Sequence, residues 1–416
     1  MIRIGIVGCG RILNAHLQGY LRLREAGIDS FRITALCARN PADAHMFRTR
    51  GTGPAPRPPV VDPASGDPLA APHTYVSDLH NDIEVGVYTD YRDMIASGTV
   101  DAVNDFTTLA LHHQVGAEAL TAGMHLLTQK PLAITVRAAQ GLIALAQTTN
   151  RTFGVFENVR QMELVRAQHW AVASGLIGVP QFASMGVLGG LWSPNKIVAE
   201  TPWRHDKMRA GGGGSIDIGV HQMDWLRFVM GEVESVSAMT GIYAPERTHV
   251  YSNGEHISVI ADVDDTYMAT VRFVNQAMAQ VSWSWAGIPQ SVMTEGMPVF
   301  VGSEGMIRND RIVSRSGHES SLLAVFHAHM TESQRTQWFP LGLRDAAAIS
   351  QYDWLCAIAR MGQPETDAHE GIRDLAAAYA ILESQHSGRH VRVADVLSGV
   401  VSGYQDPINE RYGLTL

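Results

Sequence analysis

Residues 2–13 read IRIGIVGCGRIL. The first six are apolar or β-branched at most positions, which suits a short buried strand. Gly8 and Gly10 follow at once, and a helical stretch runs from about Asn14 to Ala26. A second β-prone run, FRITALCA, occupies 31–38. Strand, glycine turn, helix and strand within about forty residues open a doubly wound α/β fold of the Rossmann kind.

The turn also carries chemistry. Gly8 permits the tight bend, and Gly10 lets a pyrophosphate approach the backbone where the helix begins. Free N–H groups and the helix dipole favour an anion there, so Gly8, Gly10, Arg11 and Ile12 are candidate dinucleotide contacts. Leu13 replaces the third glycine of the G-x-G-x-x-G pattern. That position governs helix–strand packing rather than phosphate contact. The second strand ends LCARNP, where an acid usually holds a ribose 2′-hydroxyl. Ala38 and Arg39 stand there instead, which leans the reading toward NADP over NAD. Alternatively, Arg39 stacks on the adenine and is silent about the phosphate.

Outward from this opening, the α/β rhythm is interrupted once. Seven of the 18 prolines fall in 51–75, a density neither helix nor central strand tolerates. An irregular insertion over about 51–82 is expected, either without a role or acting as a lid or contact arm. Beyond it, strands and helices alternate to give roughly five strands within 1–150, a dinucleotide-binding domain. A second domain, 151–416, starts with a helix near 160–174 and continues as successive strands over 234–301. An α+β domain with a large, open, mostly antiparallel sheet is expected. An amphipathic helix at about 367–387, closed by Gly388, packs back at the end.

Composition narrows the function classes. The chain has 416 residues, 45% hydrophobic and 18% charged, with 41 acidic against 32 basic side chains. No basic block points to nucleic acid or an anionic membrane, and no apolar run is long enough to span a bilayer. Cys9, Cys37 and Cys356 form no framework, which fits a reducing cytoplasm. His327 and His329 lack a third ligand at a suitable offset, so no metal site is expected. Trp192, Trp283 and Trp285 read as core or interface residues.

Three stretches together resemble the Gfo/Idh/MocA family of NAD(P)-dependent oxidoreductases, which act on sugars, polyols and related compounds. They are GIVGCGRI at the start, ALTAGMHLLTQKPLA at 119–133, and WRHDKMRAGGGGSIDIGVHQMDWL at 203–226. The resemblance covers about 1–50 and 83–390, leaving the Pro-rich insertion outside. The family's Glu-Lys-Pro appears as Gln129-Lys130-Pro131, an acid turned to an amide. Its glycine stretch, Asp and His match Gly211–Gly213, Asp217 and His221. The segment DFTTLALHH, 105–113, resembles the one lining the nicotinamide, with Thr108 where Pro is usual. Thr107, His112, Gln129 and Lys130 are therefore added to the cofactor contacts. The resemblance further implies oligomer contacts, a dimer or tetramer, through the C-terminal sheet.

Hydride transfer from a secondary alcohol needs a base for the hydroxyl proton and a cation for the developing alkoxide. Histidine as a residue type titrates near neutrality, so His221 is expected as the base and Lys130 as its partner on the same oxygen. Their roles are interchangeable at this level. Asp217 lies four residues before His221 and shares its face if the segment is one helix; it would hold a substrate hydroxyl or orient His221. Asp224 is expected to be structural, bonded to nearby backbone. Asn158, Arg160, Trp203 and Arg204 are candidate carbohydrate contacts, since aromatic faces suit sugar C–H faces and Arg suits hydroxyls or carboxylates. A dehydrogenase of a sugar, polyol or glycoside is the leading expectation. A redox-assisted glycoside-cleaving enzyme, or a cofactor-binding relative without catalysis, remain the alternatives. The family pattern needs only three glycines, so Gly214 should tolerate alanine better than Gly212.

Overall fold

The computed structural model describes residues 1–58, 62, 64, 67–188, 201–250, 254–286 and 298–414. Trp192, Pro59 and Pro63 lie outside them. The chain divides into two compact units. The first comprises Met1–Ile134, Ala138–Asn158 and Phe339–Gly371; the second comprises Thr135–Arg137, Val159–Trp338 and Ile372–Leu416.

The first unit is built on six parallel strands: β1 (Ile2–Val7), β2 (Phe31–Cys37), β3 (Gly86–Tyr88), β4 (Ala102–Asp105), β5 (His125–Gln129) and β6 (Phe153–Phe156). Their order, β3-β2-β1-β4-β5-β6, is that of a doubly wound dinucleotide fold. Ile4 and Ile6 on one face and Gly5 and Val7 on the other are all buried, as a covered parallel sheet demands. The helix α1 (Leu13–Glu25) follows the glycine turn, and α2 (Pro41–Arg48) starts at Asn40, whose side chain accepts from the Ala42 amide. Phe339–Gly371 returns to this unit, beyond the boundary at 150 expected from the sequence. Its helix Ala346–Ala359 lies along α1, close enough that a Cβ on Gly19 would meet Ala347. Trp354 donates to Leu126 O (3.1 Å) and Gln351 to His16 O (3.0 Å).

The second unit carries eleven strands in sequence order: β7 (Pro180–Leu188), β8 (Val233–Gly241), β9 (Glu246–Val250), β10 (His256–Ile260), β11 (Thr266–Phe273), β12 (Met278–Ser284), β13 (Val299–Gly302), β14 (Gly305–Arg308), β15 (Arg311–Ser314), β16 (Glu319–Ser321) and β17 (Val391–Arg392). Nine form one sheet, β16-β15-β14-β13-β7-β12-β11-β8-β17, antiparallel except for β7 with β12. β9 and β10 make a separate hairpin. β11 alternates strictly: Tyr267, Ala269, Val271 and Phe273 are buried, while Met268 and Thr270 are exposed. One face is therefore core and the other is not. Among the described residues, no helix is long and apolar enough to cross a membrane.

Candidate active site

The candidate residues divide between the two units, dinucleotide contacts in the first and most of the others in the second. In the first, β1 is followed by Gly8, at φ +102°, where a side chain is strained. The turn packs so tightly on the end of β4 that a Cβ there would lie 2.4 Å from Phe106 O. Gly10 has nothing within 4 Å of its Cβ position. Among the described residues, the amides of Gly10 and Ile12 meet no backbone acceptor at the start of α1. An open face with outward N–H groups fits a pyrophosphate. Ala38 is buried, its amide on Tyr88 O (3.0 Å), and Arg39 is exposed.

The ends of β4 and β5 are tied together. Asp105, wholly buried, accepts from the Thr107 amide (3.0 Å) and hydroxyl (2.6 Å). Sequence reasoning missed Asp105, although an Asp two residues before a Thr at a strand end is a turn signal. His112 is a correction. It is buried, with Nδ1 2.9 Å from Pro131 O and Nε2 3.3 Å from Thr107 O. A carbonyl accepts only from the ring nitrogen that carries the hydrogen, and burial between these two carbonyls keeps the ring inside the turn rather than exposed to a dinucleotide. The Lys130–Pro131 peptide is cis. Gln129 accepts from the Lys130 amide (2.8 Å) through Oε1, and its Nε2 lies 3.0 Å from His16 Nε2. This residue, expected at the dinucleotide, thus braces the backbone beneath Lys130. His16 stacks on Phe106 (3.6 Å) and meets the Phe156 edge (4.1 Å); burial pushes its imidazole down to about 3. The neutral ring can only accept from Gln129, which the amide permits. Asn158 stands half-buried just after β6.

In the second unit the segment 202–230 is a series of short turns. Pro202–His205 is a 3₁₀ turn, and Lys207–Ala210 a single helical turn capped by Asp206 and ended by Gly211 at φ +75°. Gly214–Asp217 is another turn, and Gly219–Met230 the long helix. The expectation of one continuous helix through Asp217 and His221 is corrected: the chain breaks at Ile218 (φ −107°). Asp217 ends one turn and His221 lies in the first turn of the next helix, both half-buried. The structure joins Asp217 to Arg204, with Nε 3.1 Å from Oδ2, and lays that guanidinium over Trp203, 4.4 Å from the ring centre. Three residues named separately from the sequence thus form one cluster.

Arg160 is a second correction. It is buried and its Nε donates to Asp224 (2.8 Å), itself wholly buried. The pair clamps the helix Gly219–Met230 to the turn before Glu163–Ala173, so Arg160 is not presented to a substrate. Asp224, for which the sequence suggested bonds to nearby backbone, meets a side chain on another element.

The glycines are explained by Asp264, which the sequence reading overlooked. Its carboxylate accepts from the Gly213 amide (2.8 Å), the Ser215 amide (2.8 Å) and the Ser215 hydroxyl (2.9 Å). Its carbonyl accepts from the Gly214 amide (3.0 Å). Burial raises its carboxyl above the ordinary range while these bonds pull it back. A Cβ at Gly213 would sit 1.7 Å from Asp264 O. Trp283 packs on Gly214, and Leu382 on Gly212. Among the described residues, no group of three or more His, Cys, Asp or Glu gathers as metal ligands would.

Two stretches match known descriptions. Residues 60–157 match "Oxidoreductase family, NAD-binding Rossmann fold", and 165–308 match "GFO/IDH/MocA C-terminal domain". The chain belongs to the Gfo/Idh/MocA family. The first match begins within the Pro-rich stretch rather than after it. Among Gfo/Idh/MocA relatives, a 1,5-anhydro-D-fructose reductase of Ensifer adhaerens is 26% identical over 307 residues, covering 73% of this chain and 83% of that protein. A D-apiose dehydrogenase of Paraburkholderia graminis is 23% identical over 401 residues, covering 93% and 88%. A solved levoglucosan dehydrogenase in complex with NADH and levoglucosan shares the fold, with a TM-score of 0.71, 21% identity, and coverage of 94% and 99%.

Proposed function

We propose that the protein is an NAD(P)-dependent dehydrogenase acting on a secondary hydroxyl, or the corresponding ketone, of a sugar, polyol or glycoside. The observation that carries this is Lys130 at the carboxyl end of β5, the edge where doubly wound sheets place their ligands. The reductase and dehydrogenases named above act on compounds of this class.

In this reading the turn at Gly8 and Gly10 and the start of α1 hold the pyrophosphate. The nicotinamide, when bound, supplies the hydride acceptor or donor. His221 takes the hydroxyl proton and Lys130 steadies the negative charge on that oxygen. Asp217 holds Arg204 over Trp203, so that the guanidinium edge and the indole recognise the carbohydrate. Arg39 favours NADP. A second copy of the chain covers the open face of the nine-stranded sheet.

The test is NAD(P)H production against a panel of monosaccharides, inositols, anhydrosugars and glycosides. Lys130→Ala and His221→Ala should each lower turnover by about 10²–10⁴-fold while leaving cofactor affinity nearly unchanged. Full activity in either variant overturns the assignment.

A further inference from the structure

A proline-dense stretch would ordinarily move freely. The described residues of 51–75 are instead fastened to the first unit along their length. Just before them, Arg50 pairs with Asp78 (2.7 Å). Gly53, at φ +79°, lies so close to the end of α2 that a Cβ would meet His45 O at 2.6 Å. His73 bonds to Met46 O (3.1 Å) and stacks on Phe47 (4.7 Å). The Thr74 hydroxyl, buried, accepts from Gln18 of α1.

Two further ties land on the glycine turn itself. Arg57 Nη1 donates to Cys9 O (3.1 Å), and Arg11 Nη1 donates to Pro58 O (2.8 Å). The other terminal nitrogen of Arg57 meets Asp43 Oδ1. Asp43 lies in the first turn of α2, three residues after its cap Asn40 and four after Arg39. Arg57 therefore spans the gap between the end of β1 and the start of α2. In this fold the adenosine ribose lies between the ends of β1 and β2, the latter just before α2.

We propose that Arg57 is a cofactor-specificity residue which, with Arg39, seats the 2′-phosphate of NADP, making the Pro-rich arm part of the adenosine subsite. The proposal rests on the reading of the chain as a nicotinamide-dependent enzyme. The residues fit the group. A guanidinium offers a fork of donors to a phosphate. Nη1, held on Cys9 O, fixes the guanidinium beside the anion-binding turn. Asp43 balances its charge and competes with an incoming phosphate for it. An NAD ribose brings no anion to that place and gains nothing from Arg57.

The test titrates NADPH and NADH fluorescence against the full chain, with adenosine 2′,5′-bisphosphate and adenosine 5′-monophosphate as fragments lacking nicotinamide. Arg57→Ala should weaken NADPH and the bisphosphate tenfold or more and leave NADH and the monophosphate within twofold. Arg57→Gln keeps a polar N–H donor but loses the charge and the guanidinium fork, so it should show the same selective loss. Asp43→Asn frees the cation and should tighten NADPH relative to NADH. If Arg57 merely pins the arm, both cofactors weaken together in all three variants, and an unchanged NADPH to NADH ratio overturns the proposal. A wild-type chain that binds neither cofactor overturns the underlying reading instead.

Discussion

His16 shows how much a single residue can be hidden from sequence. It looks like any helix histidine, yet it is wholly buried, stacked on Phe106 and joined to Gln129 beneath Lys130. Burial holds it near 3, against an ordinary 6.5. The unfolded chain therefore binds a proton more readily between those values, and stability is lost as pH falls through that window. At pH 5 this costs about 2 kcal/mol relative to pH 7. Replacing His16 with Gln should flatten this part of the acid slope, measured by urea unfolding at both pH values. An equal slope in both proteins would show that His16 does not carry it. The place of Lys130 just after a strand was legible in HLLTQKP, while its role came only from the resemblance of that stretch to the family's Glu-Lys-Pro. The internal partners of His112, Gln129 and Arg160 were not legible, because which partner a buried polar group takes depends on a distant element. Asp105 and Asp264 were not picked out, since each acts mainly on backbone amides.

At the scale of the element, the glycine run 211–214 is a packing requirement. Its tightest member is Gly213, where a Cβ would meet a backbone oxygen at 1.7 Å that no rotamer change can relieve. At Gly212 and Gly214 the close neighbours are the side chains of Ile216, Leu382 and Trp283, at 2.6–2.9 Å. Gly213→Ala should therefore cost about 3 kcal/mol or more, against about 1–3 kcal/mol for alanine at 212 or 214. Urea midpoints order the three, and a tolerant Gly213 would refute the reading. Long elements were readable from periodicity, as in IRIGIV and FRITALC. The break at Ile218 was not, because nothing in the i, i+4 spacing of Asp217 and His221 distinguishes two turns from one helix. The β9–β10 hairpin went unnoticed for a similar reason: its strands alternate weakly and cover no core.

For the whole molecule, the open sheet face is the feature with consequences for assembly. Met268 lies opposite Met239, and Met278 opposite Phe182, all four exposed. An apolar patch of this kind is characteristic of a covered surface. On the reading that a second copy covers it, Met268→Glu with Phe182→Glu should convert the oligomer to monomer in light scattering. An unchanged mass would place the contact elsewhere. The sheet itself was readable from its successive strands, but the return of Phe339–Gly371 to the first unit was not, since nothing local marks a helix as belonging to an earlier core. That return bears on how the chain comes off the ribosome. The Phe153 amide reaches Gln363 (2.9 Å) and the Val155 amide Thr366 O (2.8 Å). At typical synthesis rates these partners emerge about 10–40 s after the strand that needs them. The N-terminal sheet must wait, one edge and one helix groove bare, until most of the protein has been made.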